Sequence, residues 1–95
     1  MIQILVKPPN GNTITNDIEE TKTIHQLKEL LYLKTNIPTI FQILIYSGRI
    51  LFDDKNINFY NITEGSMLHM NLRMIPIRDP NRSIHSILGK RKSIN

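Results

Sequence analysis

The sequence predicts an α+β roll, a mixed sheet of four or five strands folded across a single helix. Three observations predict it. Two stretches near opposite ends of the chain, "MIQILVK" and "MLHMNLR", alternate apolar and polar residues at the period of a strand. Between them lies one segment whose apolar residues recur at helical spacing. The whole chain has 95 residues, enough for one modest core and no second domain.

The first strand puts Ile2, Ile4 and Val6 on one face and Gln3, Leu5 and Lys7 on the other. "PPNGN" follows, and its Asn10-Gly11 pair predicts a hairpin, because such turns require positive φ. "TITNDI" returns as a second strand, with Ile14 and Ile18 opposite Thr13, Thr15 and Asp17. Thr23 and Gln26 have the spacing of a capping box, so a helix is expected from about Ile24. Ile24, Leu27 and Leu31 form its apolar stripe, widened by Leu30, and Lys34 suits the negative end of the dipole. Asn36 can take the left-handed position that ends a helix, and Pro38 forbids continuation, so the helix stops near Thr35.

"FQILIY" predicts a third strand, Ser47-Gly48 a turn, and "RIL" a short fourth strand. "DDKNINFYNITEG" is a loop, and the fifth strand ends the body with Leu68, Met70 and Leu72 on one face and His69, Asn71 and Arg73 on the other. The first and last strands alternate most strongly, so both are expected at the centre, paired parallel across the long connection between them. The expected division is a domain over residues 1–75 and a basic tail over 76–95.

Charge follows that division. The net charge is +4. Residues 1–75 hold seven basic and seven acidic side chains, whereas the tail holds Arg78, Arg82, Lys90, Arg91 and Lys92 against Asp79 alone. The body is neutral and the tail is basic. The chain has no cysteine, which excludes a disulfide framework, a thiolate nucleophile and cysteine metal sites, and favours an intracellular setting in cytoplasm or nucleus. No apolar run approaches the ~20 residues of a membrane span, and the N-terminus lacks the pattern of a signal peptide. Isoleucine and asparagine are abundant and alanine is missing, as an AT-rich genome would produce.

At this point the residues resemble the ubiquitin family, without a gap from Ile2 to Arg73. Shared positions are Gln3-Ile4, Val6-Lys7, Gly11, Thr13-Ile14-Thr15, Thr23-Ile24, Ile37-Pro38, Leu44-Ile45, Gly48, Tyr60-Asn61-Ile62, Leu68-His69 and Leu72-Arg73. Turn and core positions match together, which is more specific than any single motif. The resemblance implies the β-grasp fold and a protein that acts by being bound.

One feature departs from the family. Its conjugated members end the last strand with a flexible arm closing in Gly-Gly, whose carboxylate is activated and joined to a lysine. Here Met74-Ile75-Pro76 occupies the arm, and no two of the glycines at 11, 48, 65 and 89 are adjacent. Only residues without side chains thread extended through a narrow channel at the reacting end. A non-conjugated module is therefore expected. The positions of two linkage lysines carry Arg49 and Glu64, and a guanidinium is not a usable amine nucleophile. Lys7, Lys28 and Lys34 match family lysines and remain candidates for modification by other proteins.

The resemblance implies a docking patch on the outward sheet face. The matching positions are Pro9, Ile45, His69 and Asn71, of which Ile45 and His69 are kept. Alternation adds Leu5 and Ile43, with Arg49 at the edge and Ile40 and Phe41 just before the third strand. A contiguous apolar surface of this kind marks a contact site; the same isoleucines are also what a biased genome leaves on a tolerant surface. Ile45 is the expected hot spot. His69 is read as a contact residue, with no carboxylates at metal spacing, and His25 and His85 as solvated. Ser66 and Asp53 have no spacing that supports a triad, so no enzymatic activity and no cofactor are expected.

In the tail, "DPNRSIHSILG" predicts a short helix over about 80–88, with Asp79 as N-cap and Pro80 in the first turn. Ile84, Ile87 and Leu88 share its stripe. Such a segment is shorter than the ~12–15 residues an isolated helix needs, so it either docks or stays unfolded. Lys90, Arg91 and Lys92 form a basic cluster without aromatic residues to stack on bases, which argues against specific nucleic-acid binding. The expected partners are ubiquitin-binding domains or enzymes of ubiquitin pathways. The alternatives are a self-associating β-grasp homodimer and a tail-driven nucleic-acid or nuclear binder.

Overall fold

The computed structural model describes residues 1–74; the expected tail helix and its basic cluster lie outside the described residues. One helix packs across a five-stranded mixed sheet, the β-grasp arrangement expected from the sequence. The strands are β1 (Ile2–Lys7), β2 (Ile14–Ile18), β3 (Gln42–Tyr46), β4 (Arg49–Ile50) and β5 (Met67–Leu72), and the helix is α1 (Ile24–Thr35). Their order in the sheet is β2-β1-β5-β3-β4. The two strongly alternating strands do lie side by side at the centre, and β1 pairs parallel with β5.

The inward faces carry the core. Ile2, Ile4 and Val6 of β1, Leu44 of β3, and Leu68 and Met70 of β5 are buried against Ile24, Leu27 and Leu31 of α1. Leu51, Ile57, Tyr60 and Ile62, from the loop after β4, close one end. Leu72 shares the inward face with its register partner Gln42 but remains 47% exposed at the end of β5.

The helix boundaries follow from chemistry legible beforehand. The Thr23 hydroxyl accepts from the Gln26 backbone N–H, and the Gln26 side chain accepts from the Thr23 backbone N–H at 2.9 Å, a complete capping box. Asn36 ends the helix with φ of 63°, its backbone N–H donating to the Tyr32 carbonyl.

The turns divide differently from expectation. In the β1–β2 connection Gly11 takes positive φ and Asn10 does not. The tight two-residue turn with both φ values positive is Ser47-Gly48, closed by the Tyr46–Arg49 pair. That is the mirror-image turn whose twist suits a hairpin, and it places β4 beside β3.

Candidate functional site

The outward face of the sheet is assembled by register. Residues paired across neighbouring strands share a face, so the ladders define a row running Lys7, His69, Ile45, Ile50 across four strands. Beside it Ile43 pairs with Asn71 on one side and Leu5 with Met67 on the other. Of the sequence-predicted patch, Leu5, Ile43, Ile45, His69 and Asn71 are therefore brought together on one surface.

Their exposure is graded. His69 and Asn71 are exposed, whereas Leu5, Ile43 and Ile45 are half-buried among their cross-strand neighbours. Pro9 is exposed in the loop after β1. Arg49 stands apart. It pairs with Tyr46, one step out of phase with Ile45, and its guanidinium carbon lies 5.9 Å from the ring centroid of the nearly buried Tyr60. Its charge is directed to that ring rather than to the row of Ile45.

Two residues of this face, Ile50 and Met67, were not picked out by sequence reasoning. Both are exposed, Ile50 at 56% and Met67 at 41%, so they contribute more accessible apolar area per residue than the half-buried isoleucines. Alternation within β4 is too short to assign a face; only the Ile45–Ile50 register does so. Phe52, further along, is 64% exposed and extends the apolar surface past the edge of β4.

Polar groups near the face are mostly committed to structure. Gln42, fully buried on the core side of β3, donates from its side-chain amide to the Lys28 and Ile37 carbonyls, tying the strand to the helix. The Tyr60 hydroxyl accepts from the Phe52 backbone N–H at 2.8 Å and fixes the loop that presents Phe52. Lys28, read from the sequence as open to modification, is buried: its ammonium donates to Asp53 at 2.6 Å and its side chain is 6% exposed. An amine held in that pair is not free to attack an activated carboxyl. Lys7 and Lys34 are exposed.

Two carboxylates flank His25. Glu29 lies 3.4 Å from Nε2 and Asp53 3.6 Å from Nδ1, on the solvated side of α1. Ser66 has other partners, its hydroxyl accepting from the Thr63 backbone N–H and lying within reach of the Tyr46 hydroxyl. Among the described residues no group of three His, Cys, Asp or Glu side chains is arranged to hold a metal ion, and no helix is long and apolar enough to cross a membrane.

Comparison with known proteins agrees with this geometry. The model of the ubiquitin family matches residues 4–75. NEDD8-like protein RUB3 of Arabidopsis thaliana is 37% identical over 73 residues, covering 77% of this chain and 94% of that protein. Ubiquitin-like protein 1 of Schizosaccharomyces pombe is 38% identical over 71 residues, covering 75% of this chain and 91% of the relative. Ubiquitin-like protein NEDD8 of Dictyostelium discoideum is 39% identical over 71 residues, covering 75% and 92%. In each case the match accounts for almost the whole relative and leaves part of this chain outside it.

Proposed function

This chain belongs to the ubiquitin family, and on that premise we propose that it is a non-conjugated interaction module. It is bound, in cytoplasm or nucleus, by ubiquitin-binding domains or enzymes of ubiquitin-related pathways. The docking surface is the outward sheet face, with Ile45 at its centre and Leu5, Ile43, His69 and Asn71 around it. The observation that carries this reading is the shared register of His69, Ile45 and Ile50, which makes one continuous surface of residues far apart in sequence. The covalent role is set aside because Met74-Ile75-Pro76 stands where the family resemblance implies a flexible arm ending in Gly-Gly, and no two glycines of this sequence are adjacent. Pro9 and Asn71, which replace more apolar residues of the family's patch, shift the preference away from generic receptors.

A titration of the labelled protein with a ubiquitin-binding domain tests this. Amide shifts are expected to cluster on Leu5, Ile43, Ile45, Met67 and His69. Ile45→Ala removes part of a half-buried side chain, so the loss is about 1 kcal/mol, roughly fivefold in Kd. Shifts confined to the outer face of α1, or an unchanged Kd for Ile45→Ala, contradict the assignment. Self-association through the same face is separated by sedimentation at several concentrations: a stable monomer removes it.

A further inference from the structure

Only one asparagine of this chain precedes a glycine: Asn10-Gly11, in the loop between β1 and β2. In such a pair the backbone nitrogen of the second residue can reach the side-chain amide carbon of the first, because glycine has no Cβ in the way. The structure leaves that nitrogen available. Both residues are exposed, and among the described residues neither the Gly11 backbone N–H nor the Asn10 side chain makes a hydrogen bond. Turn asparagines ordinarily bond to their own backbone, and this one does not. Gly11 holds φ of 97°, with no atom within 4 Å of the place a Cβ would take.

Elsewhere the same approach is obstructed. Asn12, Asn36, Asn56 and Asn61 precede β-branched residues. After Asn36, Asn56 and Asn58 the nitrogen that would attack is also spent in a hydrogen bond. Ile37 donates to the Thr35 hydroxyl at 3.1 Å, Ile57 to the Lys22 carbonyl at 2.9 Å, and Phe59 to the Asn56 carbonyl at 3.1 Å. Asn16 is buried, and Asn71 lies within β5.

We propose that Asn10 is a site of spontaneous covalent modification, at which its side-chain amide is lost and a carboxylate facing Lys34 takes its place. Hydroxide removes the Gly11 backbone proton, and the nitrogen attacks Asn10 Cγ. A bond from that nitrogen to Cγ forms, the Cγ–Nδ2 bond breaks, and ammonia leaves with a proton from water. Water then opens the cyclic imide. Cleavage between the nitrogen and Cγ gives aspartate, and cleavage between the nitrogen and the backbone carbonyl carbon gives isoaspartate. Water is the only co-reactant, and nothing is oxidised or reduced.

The new charge has a defined neighbour. Asn10, Asn12 and Lys34 line one hollow between the loop and the end of α1, and Lys34 is the only charged residue on its wall. The Lys34 ammonium is held on that side by donating to the Thr15 carbonyl at 2.7 Å. An exposed pair of this kind is weak and screened by salt, so conversion marks the loop without stabilising the fold. Pro9, next in the chain, belongs to the proposed receptor patch, so conversion also changes the charge at that edge; this consequence alone rests on the proposed function.

The test is incubation of the full chain at mildly alkaline pH, sampled over days, with peptide mapping and enzymatic methylation specific for isoaspartate. The Asn10 peptide is expected to convert at least about tenfold faster than any other, a barrier difference of at least about 1.4 kcal/mol. Its native rate is expected to lie within about fivefold of the rate in the urea-unfolded chain, since the loop withholds no group from the reaction. Asn10→Gln, which would have to close a larger and less favoured ring, is expected to stay intact at this position. In Asn10→Asp the Lys34 side-chain signals are expected to move while core amides keep their shifts. Earlier conversion at another asparagine, or a native rate below the unfolded one by more than that margin, overturns the proposal. Unmoved Lys34 signals overturn the placement of the carboxylate. The readouts need no receptor, so they stand or fall independently of the proposed function.

Discussion

At the scale of single residues, Lys28 and Asp53 carry the sharpest lesson. Lys28 follows Leu27 in the sequence and reads as one more solvated helix lysine, yet its side chain is 6% exposed and its ammonium donates to Asp53 at 2.6 Å. Nothing in the local pattern announces this, because the partner lies 25 positions away in a loop. A buried ammonium that loses its carboxylate is an uncompensated charge. Asp53→Ala is therefore expected to cost about 2 kcal/mol, reduced from the fully buried case because Asp53 is half in water. Asp54→Ala, next in sequence and exposed, is expected to change stability by less than about 0.5 kcal/mol. Urea unfolding of the pair checks this, and equal losses would refute it. Gln42 is a second residue of the same kind. It reads as the polar start of a strand but is fully buried, with its amide spent on the Lys28 and Ile37 carbonyls. Lys28 and Gln42 are held in the interior by groups on other elements, Asp53 in one case and the Lys28 carbonyl in the other, and spacing does not reveal those partners.

At the scale of elements, legibility is high where the deciding groups are close in sequence. The helix begins and ends where Thr23, Gln26 and Asn36 place it, since capping involves residues within one turn. Thr23→Ala is expected to lower stability by about 1 kcal/mol, measured by thermal unfolding followed at the helical dichroism band. The Ser47-Gly48 turn was also located, but its type was not. Ser47 holds φ of 54°, a conformation in which serine is poorer than asparagine. Ser47→Asn is expected to raise stability by about 0.5 kcal/mol, and a loss of that size would show that the serine has another task. The faces of β4 were beyond reach: two residues have no period, and the exposure of Ile50 follows only from its pairing with Ile45. For that reason the apolar surface extends further toward Phe52 than alternation in β3 alone suggests.

At the scale of the whole molecule, the fold was legible because two strongly alternating strands bracket one capped helix. The parallel pairing of β1 with β5 then follows from their central position and the long crossover. The candidate site was legible in part. Period two placed Leu5, Ile43, Ile45, His69 and Asn71 on one face, and the ladders join them. The phase of Arg49 toward Tyr60 needed the register of the β3–β4 hairpin. The proposed function follows from combining that face with a carboxyl side of the domain that continues as Ile75-Pro76-Ile77 rather than as paired glycines. On this proposal the protein is recognised and released without becoming attached. The direct measurement is recovery of the tagged chain from eukaryotic cells under native and under denaturing conditions, with mass spectrometry of both. The account predicts partners that are present in the native sample, diminished by Ile45→Ala, and absent after denaturation, which leaves the free chain alone. A denaturation-resistant product in which this chain's own carboxyl group is joined by an isopeptide bond to a lysine of another protein would contradict it.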